Sequence, residues 1–364
     1  MGKKVLIVIG IIVLAIVAAL VSAIIWYNSS IKPINSGNPQ DIKVDIKGSA
    51  KTVAQTLEEN GVIKSALAMR IYMKKNNTDK LVAGKYLFST SDDVKTILDK
   101  ICNGEIAEDE VKITFIEGKN MRYIAKKIAE NTNNSENDVF SLIEDEEYID
   151  ALISRYWFLT EEIKNPDIYY PLEGYLFPDT YTYETKDVKV STIIEQMLDN
   201  MEKTLEKFKE EIQKSDLNIH QILTLASMAE LEGGNQKDED GISDRAKIVG
   251  VFVNRINKKM KLGSDVTAYY AFKVDMSERD LTTKELNTQN PYNTRGPEME
   301  GKLPIGPICN PSVEAIDAAV NPNYTDYLYF VSDKNQKCYF TKTYNEHQNM
   351  IKELKNKKLW YTYE

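Results

Sequence analysis

Hydrophobic patterning divides the chain sharply near residue 30. From Val5 to Ser30 no charge interrupts the sequence, and its core reads V-L-I-V-I-G-I-I-V-L-A-I-V-A-A-L-V-S-A-I-I-W-Y. That run exceeds the roughly 20 residues a helix needs to cross a bilayer. Lys3 and Lys4 precede it and Trp26 and Tyr27 close it, matching the positive-inside bias and the interfacial aromatic belt. Residues 5–27 therefore predict a transmembrane helix, with residues 1–4 cytoplasmic and everything downstream extracytoplasmic. A cleaved signal peptide ending at Val21-Ser22-Ala23 is the alternative, but its apolar region would normally be only about 7–15 residues. Ile31 to Asp41 is rich in Pro, Gly, Asn and Ser, so residues 28–41 read as a linker. At ~3.3 Å per residue it reaches at most on the order of 40 Å.

Beyond the linker the pattern alternates between short strands and amphipathic helices. Val44-Asp45-Ile46 precedes a glycine and the stripe Val53, Ala54, Leu57; Ile113-Thr114-Phe115-Ile116-Glu117 precedes Gly118 and the stripe Ile124, Ala125, Ile128. Both predict a strand, a glycine turn and a helix. A second helix (Ala66–Lys75), a strand (Ala83–Phe88) and a third helix (Val94–Ile101) complete a small α+β module over 42–110. It is similar to LysM-type modules, which bind amino-sugar glycans. Residues 111–364 form the second domain, so the fold class is α+β behind a single N-terminal transmembrane helix.

Within that domain, Asn134 to Ile163 is acidic and helical in pattern, and Pro171 to Tyr181 (P-L-E-G-Y-L-F-P-D-T-Y) is an aromatic loop holding Glu173. The loop reads either as a sugar-stacking platform or as a packed wedge between lobes. Ile222 to Gly234, I-L-T-L-A-S-M-A-E-L-E-G-G, is apolar on almost every face, so it predicts a buried helix closed by a left-handed glycine stop at Gly233-Gly234. Carboxylates are rarely buried without a partner, which makes Glu230 or Glu232 a candidate proton donor. Two residues along a helix rotate by roughly 200°, so only one of them is expected to face a given cleft. A long helix follows, capped at Ser243 or Asp244 and ended by Gly263. Next come a polar loop around Tyr292-Asn293-Thr294, a proline-set path from Leu303 to Pro311, a hairpin about Asp333-Lys334-Asn335, and a basic helix from Tyr344.

Composition removes several chemistries. The 364 residues carry a net charge of −9, or −11 once Lys3 and Lys4 are set aside. An acidic exported part argues against nucleic acid as partner. Two histidines, His220 and His347, and three cysteines, Cys102, Cys309 and Cys338, supply neither a histidine-rich metal site nor a disulfide framework. No G-x-S-x-G elbow accompanies His347. No metal or cofactor is expected.

The ordered motifs P-L-E-G-Y-L-F-P-D-T-Y, L-A-S-M-A-E-L-E, V-F-V-N-R-I, L-G-S-D-V-T, P-Y-N-T, L-P-I-G-P-I-C-N-P, D-Y-L-Y-F-V and Y-N-E-H-Q resemble the MltG (YceG-like) endolytic murein transglycosylases across nearly the whole chain. The resemblance implies a lyase that cuts the β-1,4 bond between MurNAc and GlcNAc in peptidoglycan, the sugar's own C6 hydroxyl attacking to leave a 1,6-anhydroMurNAc end. It sets the catalytic glutamate on Glu230 and not Glu232. It points to Asp265, Thr267, Tyr292, Asn293, Thr294 and Glu173 as substrate-binding residues, and to glycan strands, the membrane and peptidoglycan synthases as partners. Val266, Gly301–Gly306 and Cys338 depart from the family pattern. A catalytically silent glycan-binding scaffold and a hydrolytic muramidase are the competing readings. The muramidase would need a second carboxylate about 5–9.5 Å from Glu230.

Overall fold

Each amphipathic stripe found in the sequence becomes a buried face. The computed structural model describes residues 2–35, 37–78, 80–106, 111–234 and 236–360, without side chains for 3–7. The first residue of the 1–4 tail, Ser36 of the linker, residues 107–110 and residues 361–364 therefore lie outside the described residues. The chain divides into two compact units, 1–109 and 110–364.

The first unit opens with α1 (Lys3–Ser30). Its segment Val8–Ser30 is long and apolar enough to cross a membrane, and its residues from Val8 to Trp26 are exposed. Leu14 and Ile25, both well exposed, would face lipid. The module follows as β1 (Asp41–Ile46), α2 (Ala50–Glu59), α3 (Ala66–Lys75), β2 (Gly84–Ser89) and α4 (Val94–Asn103). β1 pairs antiparallel with β2, setting Val44 opposite Tyr86. Alternation sends Val44, Ile46, Tyr86 and Phe88 into a core closed by Val53, Leu57, Met69, Ile97 and Ile101. Side chains of Ser49, Ser65 and Asp93 cap the three helices.

In the second unit β3 (Val111–Thr114) leads through α5 (Met121–Asn131), α6 (Glu136–Ile143) and α7 (Glu146–Arg155) to β4 (Thr180–Tyr183). β4 pairs antiparallel with β3. The strand expected over Ile113–Glu117 stops at Thr114. Then follow α8 (Val190–Leu205), α9 (Lys209–Lys214), α10 (Ile219–Glu232), α11 (Asp244–Asn257), α12 (Asp265–Ala271), α13 (Thr283–Leu286) and α14 (Val313–Val320). The hairpin β5 (Tyr329–Ser332) and β6 (Cys338–Thr341) and helix α15 (Tyr344–Asn356) end the fold. Helices with two-stranded antiparallel sheets make it mixed α+β. α10 packs against α11 and α14, and its unbroken buried run from Ile222 to Ala229 lies in the core. α11 ends at Asn257, six residues before the Gly263 stop expected from the sequence. Lys259 takes a left-handed turn just past the helix, at φ 52°, and Gly263 takes another, at φ 62°.

Candidate active site

Asn218 and Gln221 form a reciprocal capping box that starts α10, satisfying two otherwise orphaned N–H groups. Every residue from Ile222 to Ala229 is buried. The helix ends at Glu232, and Gly233 continues extended at φ −122°, ψ 144°. The left-handed stop expected there is absent. The glycine sits close against its neighbours: a Cβ at Gly233 would press on Ile248 Cδ1 at 2.8 Å and Arg245 Cγ at 3.2 Å.

Glu230 emerges at this end with partners from two other helices. Arg245, in the first turn of α11, donates from Nη2 to Oε1 at 2.7 Å, and both side chains are less than a tenth exposed. Ser312 caps α14 and gives Oε2 both its N–H, at 3.0 Å, and its hydroxyl. Gly118 closes a further side at φ 72°, where a Cβ would lie 3.5 Å from Glu230 Cγ. Arg245 and Ser312 were not picked out from the sequence. The available signal was the rule that a buried carboxylate requires a cation or hydrogen-bond donors, but spacing alone does not say which arginine returns to meet it.

Glu232 shares the cavity. Glu230, Glu232, Arg245, Asp333 and Gln336 all line a space of about 440 Å³. The expectation that only one of the two glutamates faces a cleft fails because Glu232 is the last helical residue and the cavity wraps around the helix end. Glu232 and Ser332 also line a larger cleft of about 610 Å³ that runs past Asp265, Arg295, Tyr329, His347 and Trp360. Ser264 Oγ donates to Glu232 Oε1 at 2.5 Å. Burial, reinforced by nearby Asp265, pushes the Glu232 carboxyl up to about 7.

The other sequence-predicted residues divide by burial. Asp265 is exposed on the rim of the larger cleft, ion-paired with Arg295 at 2.5 Å. Thr267, Tyr292, Asn293 and Thr294 have no exposed surface, so as folded they present no atom to a ligand. Asn293 Nδ2 donates to the carbonyls of Glu285, Leu286 and Thr288. Tyr292 packs its ring 4.8 Å from those of both Tyr169 and Tyr270. Thr267 and Thr294 hold Ser264. Glu173 is also buried, away from Glu230's cavity. Both its oxygens accept from Met121 N–H at 3.0 Å, and Tyr270 donates to one of them. Burial pushes its carboxyl up to about 7.

The aromatic loop around Glu173 is a packed wedge, with Leu172, Tyr175 and Leu176 fully buried. Asn310 fastens it: Oδ1 accepts from Gly174 and Leu176 N–H at 3.0 Å each, and Nδ2 reaches Lys119 O at 3.1 Å. His220 bridges Tyr175 OH at 2.6 Å and Ile305 O at 2.8 Å, a bracing role. Among the described residues no group of His, Cys, Asp and Glu is arranged to hold a metal ion.

The geometry has parallels among known proteins. The YceG-like family model matches residues 42–353. An endolytic murein transglycosylase of Bacillus subtilis is 34% identical across 91% of this chain and 89% of its own length. One from Streptococcus pneumoniae is 29% identical across 91% of this chain and 61% of its own length. The 2.6 Å crystal structure of a YceG-like protein from Listeria monocytogenes superposes with a TM-score of 0.61 at 32% identity, covering 86% of this chain and all of that one. A family pattern that runs from the first strand of the module to the last helix, with a solved relative of the same fold, means that this chain belongs to the YceG-like family.

Proposed function

We propose that the protein is a membrane-anchored lytic transglycosylase that cuts peptidoglycan glycan strands internally, with Glu230 as its acid and then its base. The observation that carries this reading is a nearly buried carboxyl at the end of α10, lining a cavity and contacted by Arg245 and Ser312. Glu230 gives its proton to the departing GlcNAc oxygen as the C1–O bond breaks. Arg245 and the two Ser312 donors stabilise the carboxylate left behind, since charge-assisted bonds are the strong ones. That carboxylate then takes the proton of the MurNAc C6 hydroxyl as O6 bonds to C1, which restores the acid and leaves the 1,6-anhydro end. No water is consumed, and a tethered nucleophile carries the entropy advantage of intramolecular attack. One carboxyl can therefore do what glycoside hydrolases divide between two. General acid–base catalysis contributes roughly 10²–10⁴-fold; the remainder is assigned to sugar binding along the groove.

The apolar helix α1 supports anchoring, with the N-terminus in the cytoplasm and the chain beyond the helix outside. The βααβ order of residues 41–89 supports a glycan-binding role for the LysM-like module. A short tether keeps the active site near the membrane, where nascent strands emerge beside synthases. The test is mass spectrometry of purified glycan strands after incubation with full-length protein in detergent, beside Glu230→Gln. Anhydro-ended fragments from the wild type and none from the variant are expected. Reducing ends would indicate a hydrolase, and no product from either protein would favour the scaffold.

A further inference from the structure

The two glutamates of the catalytic cavity are equipped differently. Both oxygens of Glu230 are engaged by protein donors, Oε1 by Arg245 and Oε2 by Ser312. Glu232 accepts from Ser264 on Oε1, and among the described residues no donor lies within hydrogen-bond distance of its second oxygen. It is the acidic side chain that lines both the Glu230 cavity and the larger cleft. A sugar seated against Glu230 and extending along the groove must pass it.

Ser264 is itself held with unusual care. Its N–H donates to Thr294 Oγ1 at 3.0 Å, and its carbonyl accepts from Thr267 Oγ1 at 2.7 Å. The two threonine hydroxyls lie 2.8 Å apart, and Thr294 N–H donates to Thr267 Oγ1 at 3.2 Å. The segments L-G-S-D-V-T and P-Y-N-T thus spend their buried hydroxyls on fixing one serine whose own hydroxyl meets Glu232. Nothing in ending a helix at Glu232 requires that network.

We propose that Glu232 is a substrate-binding carboxyl, which in protonated form donates a hydrogen bond from its second oxygen to a hydroxyl or acetamido oxygen of the sugar beside Glu230. This rests on the glycan-cleaving reading above and adds a substrate contact to it. The surroundings agree with a proton being present. Burial and Asp265 raise the carboxyl to about 7, against the opposing pull of Ser264, Arg255 and Arg295. Glu230 and Arg245 share its cavity, and the Cys338 thiol is close enough to feel its charge. Ionisation would remove the donor and put a second negative charge at the cavity.

The test uses full-length protein in detergent and purified glycan strands stripped of stem peptides. Retention on the strands is measured from pH 5.5 to 9 in the Glu230→Gln background, so that cleavage does not intervene. The parent should lose roughly tenfold in retention above pH ~7, as befits one hydrogen bond to substrate. Adding Glu232→Gln should flatten the curve, because the amide keeps a donor and does not titrate. Glu232→Leu should bind weakly at every pH. Ser264→Ala should move the falling limb to higher pH, because it removes a bond that favours the ionised form. Thermal unfolding of each variant identifies any that fail to fold. A Glu232→Gln curve that still titrates like the parent, or Glu232→Leu retention equal to the parent at pH 6, would overturn the proposal. Cleavage is scored separately with Glu230 intact: absence of anhydro ends would sink the lyase reading, while the retention curves still decide for or against Glu232.

Discussion

At Glu230 a carboxyl has been taken almost out of water and given one cation and two hydroxyl- or amide-type donors. Removing one partner of such a pair leaves an uncompensated buried charge, typically costing about 3–5 kcal/mol. Arg245→Met should therefore lower the unfolding free energy by that order and abolish cleavage. Arg245→Lys should recover part of both, since it returns the charge without the fork geometry; denaturant unfolding and product analysis check the pair. Glu173 offers a different test because it lies in the core. Its carboxyl rises from an ordinary 4.5 to about 7 through burial, so the native state binds the proton more tightly than the unfolded chain. Stability is then full below pH ~4.5 and is lost as pH rises through 7, by up to about 3 kcal/mol. Glu232 adds to the same slope. Chemical denaturation at pH 5 and pH 8 should show the decline, and Glu173→Gln should shrink it.

At the level of elements, the site depends on loops locked to α10. The path from Leu303 to Pro311 is pinned where Ile308 N–H donates to Ser227 Oγ at 3.0 Å, and Asn310 joins it to the aromatic wedge. Asn310→Ala would orphan the buried Gly174 and Leu176 N–H groups. At about 1–3 kcal/mol each, that should destabilise the second unit by several kcal/mol, measurable as a fall in its unfolding midpoint. Gly174 has φ 84°, and a Cβ there would lie 2.2 Å from Pro307 Cβ. Gly174→Ala combines backbone strain with overpacking and should cost about 2–4 kcal/mol. On the far side of the site, Asn254 and Arg255 of α11 bond the carbonyls of Thr325, Tyr327 and Leu328. The V-F-V-N-R-I helix thereby holds the last hairpin over the larger cleft. Its polar pair acts through that placement.

For the whole molecule, the proposed anchoring by α1, whose segment Val8–Ser30 is long and apolar enough to cross a membrane, makes the linker testable. Lengthening the linker by a few dozen residues should shift the lengths of glycan strands recovered from cells, and unchanged lengths would sink the idea that the tether measures distance from the membrane. Much of this architecture was readable along the chain. The uncharged run of α1, the alternation of Val44 and Ile46, the stripes of α2 and α5 and the all-round apolar α10 each follow from local periodicity, which a linear sequence displays directly. What the sequence could not decide was which partners meet across large separations. Arg245 returning to Glu230, Ser312 capping α14 onto it, and Thr267 with Thr294 fixing Ser264 against Glu232 all depend on how helices stack. Polar residues in conspicuous motifs look alike whether they touch ligand or brace a loop. Only tertiary packing separated exposed Asp265 from buried Tyr292 and Asn293, because burial is a property of neighbours and not of residue type.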